Sequence, residues 1–255
     1  ELRYVLAQSE SAALFLTRQH RGNPMMDIAT SVAPELPKLR EVPDIEDSAA
    51  LHARGPRAAI LPDVSPNSAA QIQYTSGTTG FPKGALLHHR VIPNNARFTM
   101  GRMGLEPGET YLNPMPLFHT AGCVLGALGC VQFGGRHVLV NQFDPNAMIG
   151  WMESEGVDIC GGVPTMLIAM LDAFDRGRRD VSRLRVLMSG GAMVPPELVR
   201  RTQKTFGCDF EIVYGQTEAS PIVTQLRRTD ALDDKMETAG QALPQTEISI
   251  RDVTA

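Results

Sequence analysis

The 255-residue sequence lacks paired cysteines, an excess of positive charge and long apolar runs. Its four cysteines form no C-x-x-C pair, which favours buried free thiols in a reducing compartment. The formal net charge of −4 argues against a nucleic-acid-binding surface. The longest strongly apolar run, residues 121–131, is shorter than the roughly 20 residues that a membrane-spanning helix needs. The composition is otherwise typical of a globular enzyme.

Two common phosphate-binding motifs are also missing. A Walker loop has the form G-x-x-x-x-G-K-[ST], but the sixth position counted from Gly77 is Pro82, and Gly84 follows Lys83. The G-x-G-x-x-G fingerprint of dinucleotide-binding folds is absent from this stretch as well. These absences disfavour a P-loop ATPase, which would release phosphate rather than pyrophosphate.

A different phosphate loop is present at residues 75–84 (TSGTTGFPKG). It follows the alternating residues 72–74, which predict a strand. Glycines let the backbone turn tightly, so that several N–H groups converge on one anion. Hydroxyl groups donate to phosphate oxygens, and Lys83 adds a positive charge. The loop therefore predicts a polyphosphate ligand, most simply ATP.

Three further motifs follow this loop along the chain, at residues 116–119 (PLFH), 189–192 (SGGA) and 214–218 (YGQTE). With residues 74–84, their order resembles that of the acyl-adenylate-forming enzymes, which include acyl-CoA synthetases, luciferases and peptide-synthetase adenylation domains. The residues on either side of the loop are most similar to fatty acyl-CoA synthetases. The resemblance covers essentially the whole chain.

The resemblance implies a two-step reaction. A fatty acid and ATP, with Mg²⁺, give acyl-AMP and pyrophosphate, and coenzyme A then displaces AMP. Three alternatives stay open: a fatty acyl-AMP ligase that serves a carrier protein, an enzyme that activates aryl or amino acids, and, for this chain alone, a nucleotide-binding core without full turnover.

The resemblance also implies roles for individual residues. Lys83, His119, Thr217 and Glu218 are the predicted catalytic residues. Thr217 would hydrogen-bond the α-phosphate, and Glu218 would hold Mg²⁺ with Thr78 as a second candidate ligand. His119 would lie between the acyl pocket and the α-phosphate, and would change position during the cycle.

Two sets of binding residues complete the predicted site. Tyr214 would stack on adenine, and the glycines after residue 189 would let the backbone approach the base. The residues predicted to bind ATP are Thr75, Ser76, Gly77, Thr78, Thr79, Gly80, Lys83, Gly190, Gly191, Ala192, Tyr214, Gly215, Gln216 and Thr217. The residues predicted to line the acyl pocket are His119, Gly161, Gly162, Val163 and Pro164.

The hydrophobic pattern predicts the fold class independently of these motifs. Strand and helix signals alternate, which is typical of an α/β domain with a mostly parallel sheet between helices. Strands are predicted at 12–16, 111–113, 137–140, 157–160, 184–188, 210–213 and 248–250, and helices at 120–132, 145–155, 164–174 and 195–206. Residues 22–71 are predicted as loops with short strands, and His88 and His89 as the start of a helix. Because the motifs at 189 and 214 follow strands, they fall where such sheets bind ligands.

Residues 1–255 are expected to be part of an N-terminal AMP-binding domain. The pattern opens in mid-helix, and the ribose-binding T-G-D motif, a later Arg and the Lys of the family's C-terminal lid find no match. We therefore expect that the extreme N-terminus and the lid lie outside this chain. The expected partners are small molecules and not nucleic acid, in a cytoplasmic protein. Peripheral membrane association and a homodimer are left open.

Overall fold

The computed structural model describes residues 1–55, 60, 62–75 and 80–252. The chain divides into two compact units. The first comprises Glu1–Ser65 and Tyr74–Ala85, and the second comprises Pro66–Gln73 and Leu86–Ala255. The fold is described below one unit at a time.

The first unit is built from short helices. They are α1 Leu2–Gln8, α2 Met25–Val32, a 3₁₀ turn at Ala33–Glu35 and α3 Ser48–Arg54. The prediction of loops and short strands over residues 22–71 is therefore wrong at α2 and α3. Asp47 caps α3, because its carboxylate accepts a hydrogen bond from the Ala50 amide at 2.9 Å. The predicted strand at 12–16 is also wrong, since Ala13 and Leu16 form only isolated bridges.

A two-stranded sheet, β1 Ala69–Thr75 and β2 Lys83–His88, contains residues of both units. Its first strand confirms the predicted strand at 72–74. The predicted helix start at His88 and His89 is wrong, because His88 ends β2 and His89 lies in the turn that follows. The next helix begins at Val91.

The second unit alternates strands and helices as predicted. Its other elements are α4 Val91–Met103, β3 Thr110–Asn113, a π-helix at Ala121–Leu128, α5 Gly129–Phe133, β4 Arg136–Leu139, α6 Pro145–Ser154, β5 Ile159–Gly162, α7 Pro164–Arg176, β6 Val186–Gly190, α8 Pro196–Phe206, β7 Asp209–Gly215, a 3₁₀ turn at Thr217–Ala219, β8 Ile222–Gln225, α9 Leu232–Glu237 and β9 Gln241–Ala242.

Seven of these strands form one sheet in the order β4-β3-β5-β6-β7-β8-β9. The strands from β4 to β7 are parallel, whereas β8 and β9 pair antiparallel at one edge. The structure thus confirms a parallel-rich sheet. It also corrects the predictions at three places: β5 begins at Ile159 and β6 at Val186, each two residues later than predicted, and residues 248–250 form no strand.

Helices cover both faces of this sheet. Neighbouring residues along a strand enter different hydrophobic clusters, because side chains alternate between the two faces. Leu112 and Leu187 pack into a cluster with residues of α6, α7 and α8. Tyr111 and Val186 pack into another with residues of α4 and the π-helix. Among the described residues, no helix combines the length and apolar character that a bilayer crossing requires.

Candidate active site

A cleft of about 310 Å³ lies in the second unit, at the carboxyl ends of the parallel strands. Open α/β sheets bind their ligands at this edge. The residues that line it are Met115, His119, Thr120, Ala121, Leu125, Gly162, Val163, Met188, Gly190, Gly191, Val213, Gly215, Gln216, Thr217, Pro221 and Ile222. Eight of them were predicted as site residues: His119, Gly162, Val163, Gly190, Gly191, Gly215, Gln216 and Thr217.

Three neighbouring strands bring these segments together. Gly162 ends β5 and Gly190 ends β6, and Gly162 pairs with the residue before Gly190. Gly190 in turn pairs with Val213 of β7, two residues before that strand ends at Gly215. Motifs that are about 25 residues apart along the chain therefore face one cleft.

Close backbone packing requires glycine at two of these strand ends. A Cβ on Gly190 would lie 2.5 Å from the carbonyl oxygen of Val213. A Cβ on Gly215 would overlap the carbonyl oxygen of Pro221 and lie 2.9 Å from the Cα of Ile222. Both obstacles are backbone atoms, which cannot move as a flexible side chain can. These glycines therefore hold the cleft's own strands together, whatever they also offer to a ligand.

His119 lies at the mouth of the cleft, on the turn before the π-helix. The Ala121 amide donates a hydrogen bond to its Nδ1 at 3.1 Å. In the neutral ring the proton is then on Nε2, which is left as a donor. Partial burial lowers the pKa of His119, so the ring stays neutral at pH 7.

The next residue, Thr120, is a cleft residue that sequence reasoning missed. It is fully buried, and its hydroxyl has no hydrogen-bond partner among the described residues. Although Thr120 stands at the start of the π-helix, its side chain does not cap that helix. The hydroxyl is closed off from the cleft in this structure, so a ligand would contact it only after the segment around His119 moves.

The apolar floor of the cleft was missed as well. Leu125, Met188, Val213 and Ile222 are all nearly buried and belong to the hydrophobic cluster shared with α4. The alternation along β6 and β7 indicates which residues share a face. It does not indicate which face meets a cavity, because that depends on where the π-helix packs.

The end of β7 carries the fourth motif. Tyr214 is 54% exposed, and Glu218 is exposed on the 3₁₀ turn that follows the strand. Gln216 and Thr217 line the cleft, whereas Tyr214, Glu218 and the exposed Ala192 do not. Their exposed side chains are available to a ligand larger than the cleft.

Two predicted acyl-pocket residues, Gly161 and Pro164, are buried outside the cleft lining. A Cβ on Gly161 would lie 2.6 Å from the Tyr111 hydroxyl oxygen, so the glycine accommodates a core tyrosine. Pro164 begins α7, where its missing N–H costs nothing. Within this segment, Gly162 and Val163 face the cleft.

The predicted phosphate loop belongs to the first unit. Ser76, Gly77, Thr78 and Thr79 lie outside the described residues. The loop's flanks are linked across the hairpin, where the Thr75 hydroxyl donates to the Lys83 carbonyl oxygen at 3.4 Å. Lys83 is exposed at the start of β2, and Gly80 has a φ of +93°.

A magnesium ion would need oxygen ligands. Within the described ranges, no group of three or more His, Cys, Asp or Glu residues could hold a metal ion. Mg²⁺ commonly uses one or two carboxylates together with substrate phosphates. An exposed carboxylate such as Glu218, next to cleft residue Thr217, fits that mode of binding.

Comparison with protein families gives one match over the whole chain. A family described as AMP-binding enzyme matches residues 1–255.

Curated proteins in this family are similar to the chain. YngI of Bacillus subtilis (strain 168), an acyl-CoA synthetase by its provisional name, is 36% identical over 278 residues, which cover 98% of this chain and 51% of YngI. Acyl-CoA ligase SID4 of Ajellomyces capsulatus is 32% identical over 270 residues, covering 98% of this chain and 46% of SID4. The chain thus spans about half the length of these relatives.

Solved structures share the fold. A Mycobacterium tuberculosis fatty acyl-CoA synthetase superimposes with a TM-score of 0.87 at 22% identity, covering 99% of this chain and 49% of that one. ATP-bound MatB from Rhodopseudomonas palustris superimposes with a TM-score of 0.83 at 22% identity, covering 96% and 47%.

Proposed function

The chain belongs to the AMP-binding enzyme family, and we propose that it forms the nucleotide- and acyl-binding part of an ATP-dependent fatty acid–CoA ligase. One observation carries the proposal: Gly190, Thr217 and His119, from three separate motifs, line one cleft. The curated relatives named acyl-CoA ligase support the same reaction class. The cytoplasmic location and the partial-domain assignment stay predictions, and a homodimer stays an open possibility.

The first step joins a carboxylate to the α-phosphate of ATP. One carboxylate oxygen forms a bond to the α-phosphorus, the bond from that phosphorus to the bridging oxygen breaks, and pyrophosphate leaves. No proton is transferred, so positioning and charge stabilisation supply the catalysis. The protein therefore needs donors and cations rather than a general base.

The predicted site residues suit these tasks. Thr217 lines the cleft at the end of β7 and would donate to an α-phosphate oxygen. His119 is neutral and presents Nε2–H, so it can donate to the carboxylate or the phosphate without adding a full charge. Lys83 would neutralise the departing pyrophosphate, and Tyr214 offers an exposed ring on which adenine can stack.

Glu218 would hold Mg²⁺ together with the substrate phosphates, and Thr78 is the second candidate ligand. The ion would supply positive charge that offsets the charge developing on the phosphates. Coenzyme A is the proposed acceptor in the second step.

The floor of the cleft indicates the kind of acid. Leu125, Met188 and Ile222 present hydrocarbon side chains and no charge. Burying an alkyl chain against such a surface is favourable by about 0.8 kcal/mol for each CH₂ group. An apolar carboxylic acid is therefore the proposed substrate, and a fatty acid its simplest form.

Mass spectrometry of acyl-AMP tests this proposal. The chain is incubated with Mg·ATP and a panel of short, medium, long and aromatic carboxylates, and we expect acyl-AMP with alkyl acids. Lys83→Ala and Glu218→Ala should each reduce its formation by about 10²–10³-fold, the range for removing one group that stabilises transition-state charge.

Matched controls separate the site from general charge effects. Lys38→Ala and Glu247→Ala make the same changes at exposed positions outside the site, and should leave acyl-AMP formation unchanged. Unaltered circular dichroism of all four variants would show that they fold. Full activity in Lys83→Ala and Glu218→Ala would contradict the assignment.

A second candidate function is a nucleotide-binding core that needs further protein for turnover. The chain's span of about half of its curated relatives favours it. It predicts saturable ATP binding by calorimetry without acyl-AMP.

A further inference from the structure

Strand β1 carries two glutamines whose side chains point to the same face. Gln71 and Gln73 are two residues apart, and successive side chains in a strand alternate between faces. Gln73 is buried, with 8% of its surface exposed. A buried amide is costly unless its polar atoms find partners. The hydrogen-bond partners of Gln73 therefore indicate the structural role of its side chain.

Both amides reach the segment that carries His119. Gln73 Nε2 donates a hydrogen bond to the carbonyl oxygen of Phe118. Gln73 Oε1 accepts from Gln71 Nε2 at 2.6 Å, and Gln71 Nε2 also lies 3.6 Å from the Cys123 sulfur, in the first turn of the π-helix. All of these residues belong to the second unit.

Side-chain packing does little to hold this turn. Phe118 is 80% exposed and Leu117 is 46% exposed. The backbone holds the turn on its own side: the His119 amide donates to the Pro116 carbonyl at 3.0 Å, and the His119 carbonyl accepts from the amides of Gly122 and Cys123 at 2.9 and 3.0 Å. These backbone bonds stay within residues 116–123, and the bond from Gln73 adds a link from the Phe118 carbonyl to strand β1.

We propose that Gln73 is a positioning residue for His119: through the Phe118 carbonyl it holds the backbone from which the His119 side chain projects at the mouth of the cleft. This inference rests on the proposed function for its catalytic consequence. The same strand runs on into the phosphate loop at Thr75, so one strand both holds His119 and begins that loop. Losing the donor should remove one of the two hydrogen bonds of the Phe118–His119 peptide and weaken the bond from the Ala121 amide to His119 Nδ1.

The test replaces one glutamine side chain at a time. Gln73→Met keeps the length of the side chain and adds no charge, but it lacks the donor to Phe118. Gln71→Met makes the same change two residues away and leaves the Gln73 donor in place. Nitrogen-15 NMR at pH 8 reports which ring nitrogen of His119 carries the proton, and His119→Gln identifies its signals.

We expect the wild-type chain to show a single tautomer with the proton on Nε2. In Gln73→Met the two nitrogen signals should move towards each other as the tautomers mix, whereas Gln71→Met should keep the wild-type pattern. Acyl-AMP formation should fall between about threefold and tenfold in Gln73→Met, mainly in kcat, because a typical hydrogen bond is lost.

An unchanged His119 tautomer in Gln73→Met would overturn the inference, and so would an equal change in both variants, which would assign the effect to the strand. The NMR result is independent of turnover. If the wild-type chain makes no acyl-AMP, the proposed activity is contradicted, but the NMR comparison still tests the positioning role of Gln73. A urea titration of both variants checks that each remains folded.

Discussion

The phosphate loop and the strand ends of the cleft both depend on glycine, but for different reasons. Around Gly80, a Cβ would meet no atom of the described residues within 4 Å, and the residue is glycine because its φ is +93°. At Gly190 and Gly215 the space is already occupied by the backbone of neighbouring segments. A glycine in the loop therefore shapes an exposed turn, whereas a glycine in the cleft lets two strands meet.

The same difference distinguishes the residues proposed to take part in the reaction from the residues that stabilise the fold. Lys83, Tyr214 and Glu218 are exposed, so replacing them removes little packing. The strands that present the cleft residues are nearly all buried, so changes there act on stability first. Variants whose stability and activity are both measured test this difference between the two regions.

The largest expected effect is in the cleft. Gly215→Ala should lower the free energy of unfolding by about 3 kcal/mol or more, because its Cβ would overlap backbone atoms that cannot move aside. Gly150→Ala is the matched control: it lies in α6 with nothing within 4 Å of the added carbon, and should be neutral or stabilising. Urea denaturation measures both. Equal stability of the two variants would contradict the packing argument.

A buried acid in β7 should make the stability of the fold sensitive to pH. Burial in β7 raises the pKa of Glu211 to about 7, although the hydrogen bond from Gln225 and the charges of Lys235 and Arg228 oppose the shift. The folded state therefore holds a proton that the unfolded chain, with a pKa near 4.5, releases earlier.

This proton makes a stabilising contribution that is fully present below about pH 4.5 and is lost as the pH rises through about 7. The loss should be on the order of 3 kcal/mol. Glu211→Gln should remove this dependence in urea titrations between pH 5 and 8. Glu247→Gln, an exposed control, should retain the wild-type profile. A wild-type chain whose stability rises steadily over this range would contradict the account of Glu211.

The smallest stability effect is expected in the loop. Gly80→Ala should cost about 1–2 kcal/mol, the penalty for placing an L-residue at positive φ. Its effect on acyl-AMP formation should exceed what the stability loss explains, because the loop's backbone is proposed to bind phosphate. Paired urea titrations and acyl-AMP assays measure the two effects. A loss of stability as large as that of Gly215→Ala would remove the contrast between the two regions.

The sequence predicted the parallel-rich sheet because its strands are short apolar runs separated by helices with clear starts. Asp144, for example, is a residue type that commonly caps helices, and its carboxylate accepts from the Ala147 amide at 2.8 Å at the start of α6. The pattern failed where local signals are weak. Helix α2 contains no charged residue except Asp27, and β9 is two residues long.

The candidate site was predicted where chemistry marks the residues. Thr217 and His119 stand in short motifs, whereas Leu125 and Met188 look like any other core residues. Gln73 reads as one polar position in an alternating strand, and its partner Phe118 is 45 residues away. Such contacts depend on how distant segments pack together, and a local sequence pattern carries no information about that packing.

The most direct test of the account is to observe the cleft while ATP binds. With ¹³C-methyl-labelled methionine, Met115 and Met188 report on the cleft lining, while Met148 reports on the core packed against α6 and α7. The account predicts that the signals of Met115 and Met188 shift saturably on titration with Mg·ATP and an alkyl carboxylate, and that Met148 stays in place. Saturable binding by calorimetry with both cleft methyls unmoved would contradict it.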